Sequence, residues 1–149
     1  MGGFASIGEC MIELSGNDGD QWRMGYAGDT LNTAWYMRAL TEQSYPVDYV
    51  SAFGEDDFSQ KQRAFLASNG IGIAQSPVIQ GVHPGLYAIT LNGAERSFTY
   101  WRSDAAAKRL ASDRQALKAS LAGRDMIYFS GISVAIVFPE HRETLFETL

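Results

Sequence analysis

Cysteine is nearly absent from this chain: Cys10 is the only one in 149 residues. An internal disulfide is therefore excluded, as is a zinc cluster built on thiolates, and a reducing cytoplasm is the expected location. Basic residues are also scarce. The 12 Lys and Arg against 17 Asp and Glu leave a net charge of −5, and no Lys/Arg cluster interrupts the chain. That balance argues against nucleic acid and against a membrane surface as partners, although single arginines remain available to hold a small anion. No apolar run approaches the length of a bilayer span, and no basic segment followed by an apolar stretch opens the chain. Neither a transmembrane helix nor a secretory leader is expected.

Two nucleotide fingerprints are missing as well. No Gly-x-x-x-x-Gly-Lys-Ser/Thr loop occurs, and no Gly-x-Gly-x-x-Gly follows the first strand. Ser130-Gly131 lacks the Gly-x that precedes a nucleophile elbow, and His83 and His141 have no Asp/Ser context that would make a hydrolase triad. What is present is a sequence with 46% hydrophobic and 19% charged residues, enough for one folded domain with a real core.

The organising stretch is Gly25-Tyr-Ala-Gly-Asp-Thr-Leu-Asn-Thr-Ala34, a glycine turn running into a helix. Glycines let a backbone approach a ligand, and the first helical turn has free N–H groups, so such a junction suits a polar or anionic group as well as a plain capped helix. Asp29 or Thr30 is the expected N-cap. Before it, Phe4 to Gly8 and Cys10 to Ile12 read as strands, Ser15 to Asp20 as a turn, and Trp22 to Tyr26 as a short strand. After it, the apolar residues Leu31, Ala34, Trp35, Met37 and Leu40 predict a helix buried on more than one side. Val47 to Phe53 predicts a strand, and Phe58 to Asn69-Gly70 a helix with its stop. Successive strand–helix units point to an α/β fold with a parallel sheet.

The middle of the chain changes period. Gly85 to Leu91 and Arg96 to Arg102 read as a hairpin around Asn92-Gly93-Ala94-Glu95. Pairing Leu91 with Arg96 puts Tyr87 opposite Tyr100 and Gly85 opposite Arg102 on one face. Two phenols and a guanidinium then converge; for the tyrosines plain cross-strand packing is the slightly favoured reading, and Arg102 suits either a solvated rim or a carboxylate ligand. A hairpin is hardly stable alone, so it is expected to join the early strands as a small separate sheet. Ala105 to Lys108 begins a helical piece, Ser112 and Gln115 form a capping-box pattern, and Asp125 to Gly131 predicts a buried parallel strand. Pro139 opens a last helix. With no stop signal after Leu149, the chain reads as cut in mid-helix.

Taken together, Ile7-Gly-Glu-Cys-Met-Ile-Glu-Leu14, Gly28-Asp-Thr-Leu-Asn-Thr33, Pro84-Gly-Leu-Tyr87, Tyr100-Trp-Arg102 with Ala105-Ala-Ala-Lys108, and Ser130-Gly-Ile-Ser133 resemble the N-terminal half of the ribokinase-like sugar kinases. Within that family they look most like the subgroup acting on 2-keto-3-deoxygluconate. Gly54 to Ser59 resembles a further family segment, with Ser59 in place of its final glycine, and the paired glycine before the helix is here Ala27-Gly28. The resemblance implies an incomplete ribokinase-like domain over residues 1–149, a partial three-layer parallel sheet with lid strands near 11–26 and 85–102. It implies an ATP-dependent kinase, with ATP and Mg²⁺ bound, and the catalytic aspartate placed, in a C-terminal half beyond Leu149, so that these residues alone would be inactive. By position, Gly28, Asp29 and Asn32 would bind sugar hydroxyls, Tyr87 and Tyr100 would come from the lid, Arg102 would meet the substrate carboxylate, and Ile132 would line the pocket. The lid sheet is implied as a homodimer contact. A kinase for a neutral sugar or nucleoside, and a non-catalytic sugar-binding or oligomerisation module, are the other readings.

Overall fold

A computed structural model describes residues 2–16 and 20–149. In chain order, β1 (Phe4–Ile7), β2 (Met11–Gly16) and β3 (Trp22–Ala27) precede α1 (Asp29–Leu40), and β4 (Val47–Val50) and β5 (Phe53–Gly54) precede α2 (Asp57–Ser68). There follow β6 (Val78–Ile79), the hairpin strands β7 (Leu86–Asn92) and β8 (Glu95–Trp101), and a 3₁₀ turn at Ala106–Arg109. The last elements are α3 (Arg114–Leu121), β9 (Met126–Phe129), α4 (Gly131–Ile136), a second 3₁₀ turn at Pro139–His141, and α5 (Arg142–Thr148).

β1 and β4 are buried at every position, the mark of strands covered on both faces. They form a parallel sheet in the order β4–β1–β9, with Phe4 beside Val47 and Met126. Because side chains alternate across a strand, the two faces of β1 feed two cores. Phe4 joins Tyr49, Leu31, Phe53, Leu66 and Ile71 on one side. Ala5 and Ile7 join Val50, Leu110, Leu117 and Leu145 on the other. Helices α1 and α2 thus cover one face while α3, α5 and the first 3₁₀ turn cover the other, which makes the three layers expected of an α/β fold.

A second sheet, ordered β3–β2–β7–β8, stands apart from the first. β7 and β8 pair antiparallel with Leu91 opposite Arg96 and Tyr87 opposite Tyr100, the register the sequence predicts. β2 connects them to the early strands, antiparallel to β3 and parallel to β7.

Several local expectations are corrected. The strand at Met11 runs on through Ser15 and Gly16, paired with Arg23 and Trp22, and Asn17, Asp18 and Gly19 of the expected turn lie outside the described residues. Gly28, not Asp29 or Thr30, is the N-cap of α1. That helix buries one side, through Thr30, Leu31, Ala34 and Arg38, while Tyr36 and Leu40 are exposed, because only one face meets the sheet. The run Val47 to Phe53 divides, since the chain leaves the main sheet after Val50 and Phe53 pairs instead with Val78. Asp113, not Ser112, caps α3, its carboxylate accepting from the N–H groups of Gln115 and Ala116 at 2.9 and 3.0 Å. A carboxylate satisfies the free donors and also suits the positive helix end. β9 is parallel as expected but largely exposed, being the outer strand of its sheet.

Candidate functional site

The carboxyl ends of strands in an open α/β sheet border the crevice where ligands bind, and the end of β1 is where this chain gathers its elements. At Gly8 a side chain would collide with Thr30: a Cβ there falls 2.3 Å from Oγ1 of Thr30 and 3.1 Å from Oγ of Ser133. The first turns of α1 and α4 therefore both close on β1. Ser130 and Ser133 form a reciprocal capping box at the start of α4, and the Ser133 hydroxyl donates to the carbonyl of Ile7 at 2.7 Å. That bond fixes α4, and with it Ile132, against the end of the strand.

Glu9 is the next residue and joins the two sheets. Its carbonyl packs against Gly28, where a Cβ would lie 2.3 Å away. Its Oε1 packs against Gly85, where a Cβ would lie 2.4 Å away. Its Oε2 is ion-paired with a terminal nitrogen of Arg102. Glu9 is only 4% exposed, and burial pushes its carboxyl above the ordinary range even though Arg102 opposes the shift. Among the described residues, Oε1 has no hydrogen-bond partner. The neighbouring Cys10 thiol is pushed up to about 12 by burial, so it is neutral and unreactive at physiological pH.

The second sheet stands on the other side of Glu9. Its register sets Glu13 beside Tyr87, and the phenol of Tyr87 donates to Oε2 of Glu13. Burial first, and then Glu13, raise the phenol above its usual range, so it stays a donor. The ring centroids of Tyr87 and Tyr100 are 5.7 Å apart, and the Arg102 guanidinium lies 5.9 Å from the Tyr100 ring centre. Gly85 faces Arg102 as the hairpin register requires, with the Cβ of Arg102 3.2 Å from where one would stand on Gly85.

Of the residues singled out in the sequence, Gly28 and Arg102 thus meet at Glu9, with Tyr100 beside Arg102 and Tyr87 beside Tyr100. Ile132 is half exposed at the first turn of α4. Asp29 and Asn32 are exposed on α1. Asn32 opens into a cavity of about 330 Å³ shared with Tyr26, Leu31, Trp35 and Phe65, where Trp35 stacks on Phe65. Glu9 is not among the site residues to which the sequence points. Its signal is a carboxylate between Ile7-Gly8 and the apolar Cys10-Met-Ile12, a position where an acid must find a partner. Among the described residues no group of three His, Cys, Asp or Glu side chains is placed to hold a metal ion. The sequence holds no glycine-rich phosphate loop either.

The sequence profile of the pfkB family carbohydrate kinases matches residues 1–149. A curated relative, the 2-dehydro-3-deoxygluconokinase of Escherichia coli strain K12, is 42% identical over 97% of this chain and 48% of its own length. Among solved structures, the 2-dehydro-3-deoxygluconokinase of Thermotoga maritima superposes with a TM-score of 0.80 at 19% identity, over 99% of this chain and 46% of that one. An uncharacterised sugar kinase of Pyrococcus horikoshii, solved in complex with ATP, superposes at 0.79 with 22% identity, over 97% of this chain and 47% of that one. These structural likenesses speak for the fold alone. The chain spans about half the length of the curated relatives it matches.

Proposed function

This chain belongs to the pfkB family of carbohydrate kinases, and we propose that it is the acceptor-binding half of an enzyme that phosphorylates 2-keto-3-deoxygluconate with ATP. The observation that carries the reading is the position of Arg102: a guanidinium beside the carboxyl end of β1, with the Tyr100 ring next to it, Tyr87 next to Tyr100, and the start of α1 across Glu9. An arginine there is suited to a carboxylate, and the polar groups around it to hydroxyls. The E. coli relative, named for the same sugar acid, supports the choice of substrate.

In this reading Gly28, Asp29 and Asn32 bind hydroxyls from the α1 side, Tyr87 and Tyr100 close over the sugar, Ile132 lines the pocket, and Arg102 holds the acid group. Their contribution is to orient the acceptor hydroxyl and shut out water. ATP and Mg²⁺ would supply and polarise the transferred phosphoryl group, and they and the catalytic base are assigned to residues outside these 149. The family membership and the Pyrococcus complex support the use of ATP. The lid sheet, with Trp22, Met24 and Trp101 exposed, is proposed as a homodimer contact, and a cytoplasmic location accords with the single buried cysteine.

Replacing Arg102 by Ala in the full chain tests the substrate assignment. A lost charge-assisted bond of about 1.5–3 kcal/mol predicts a fall in kcat/KM for the sugar acid of about 10- to 150-fold, with KM for ATP unchanged. An unaltered kcat/KM overturns the role. The Glu9–Arg102 pair also favours one second reading, a neutral sugar acceptor, because the guanidinium is already balanced by a carboxylate. Comparing the acid with the analogue lacking its carboxylate separates the two: only an acid-specific enzyme loses activity.

A further inference from the structure

The same pair raises a question of charge. Glu9 is almost wholly buried, is held on one oxygen by Arg102, and leaves Oε1 without a hydrogen-bond partner among the described residues. An unpaired buried acceptor is costly, and a buried ionised one more so. Nor is there slack to turn it elsewhere, because Oε1 rests against the Cα of Gly85 and the backbone of Glu9 against Gly28. A carboxylate ligand at Arg102 would convert this pair, buried on its Glu9 side, into one cation between two anions.

We propose that Glu9 is a positioning residue that holds Arg102 ready in the empty site, and that it takes up a proton on Oε1 when an anionic sugar acid binds there. This inference rests on the sugar-acid reading given above. The proton comes from bulk water, and no bond other than O–H forms or breaks. Protonation cancels the second anion and frees the charge of Arg102 for the ligand. The groups that act on Glu9 from its surroundings are few. Arg102 and Lys108 favour its ionised form, and Asp29 on α1 opposes it; Cys10 beside it is neutral. The raised carboxyl of the empty site is consistent with a group close to accepting a proton.

Linkage fixes the sign. If the complex holds one more proton than the separated partners, affinity for the acid falls as pH rises, by up to about tenfold per pH unit between the titration points of free and bound Glu9. The test is calorimetry of the full chain with 2-keto-3-deoxygluconate in phosphate and in Tris, whose protonation enthalpies differ. Uptake approaching about one proton per ligand, abolished in Glu9→Gln together with the pH dependence, supports the proposal. Binding with no difference between buffers overturns it and leaves the sugar-acid reading standing. An uptake that persists in Glu9→Gln also overturns it. No binding of the acid at any pH overturns both. The buffer comparison on the unaltered protein decides the matter even if Glu9→Gln does not fold.

Discussion

At Gly28 the backbone is extended, with φ at 170°, so any residue could adopt the conformation. What demands glycine is space: the carbonyl of Glu9 occupies the place of a side chain. Gly28→Ala is therefore expected to push α1 away from β1 at a cost of about 1–3 kcal/mol, the range for overpacking a tight contact. Urea unfolding of the variant checks it, and an unchanged midpoint and slope refute the claim. The glycines and Arg102 were legible in the sequence because motif and register name them. Glu9 was not. Its importance comes from Arg102, 93 positions away in the chain, and from the absence of any other partner for its second oxygen among the described residues. Neither fact is encoded in the residues beside it.

Elements follow local rules more faithfully. The lid hairpin has the predicted register because only Gly93 and Ala94 separate the last pair, Asn92 with Glu95, and Gly93 takes the positive φ of 63° that such a turn needs. The start of α2 is as well specified. Asp56 accepts from the N–H groups of Phe58 and Ser59 at 2.9 and 3.1 Å and from the Ser59 hydroxyl at 2.6 Å, and His83 Nδ1 lies 3.2 Å away. Desolvation works to raise its carboxyl, but these bonds outweigh it and hold the group below the usual aspartate range. Asp56→Ala is thus expected to cost about 1 kcal/mol at neutral pH. The benefit of the native carboxylate is present above the unfolded-state pKa and lost as pH falls through the lower folded-state value. Unfolding curves of the two proteins should therefore converge in acid, and a gap that stays constant from neutral pH to pH 2 would contradict the cap's charge. Where local rules failed, two adjacent residues competed for one role. Ser112 and Asp113 both suit an N-cap, and packing of Leu117 and Leu121 against the core sets where α3 begins.

For the whole molecule the outstanding feature is a sheet that stands off the main body and exposes large apolar side chains. Trp101 is 59% exposed on the lid face opposite Tyr87 and Tyr100. Such exposure is expected of a surface that meets another copy. Light scattering should accordingly give a dimer for the unaltered full chain and a monomer for Trp101→Glu, and a monomer in both cases refutes the lid contact. The sequence by itself determined the α/β class, the lid hairpin and its register, and the segments that resemble sugar kinases, because period, turn chemistry and motif spacing act over a few residues. Only the tertiary structure decided that α1 buries a single side and that the buried Glu9 meets Arg102. Those outcomes depend on which distant segments exclude water from a group, and burial is a property of neighbours in space.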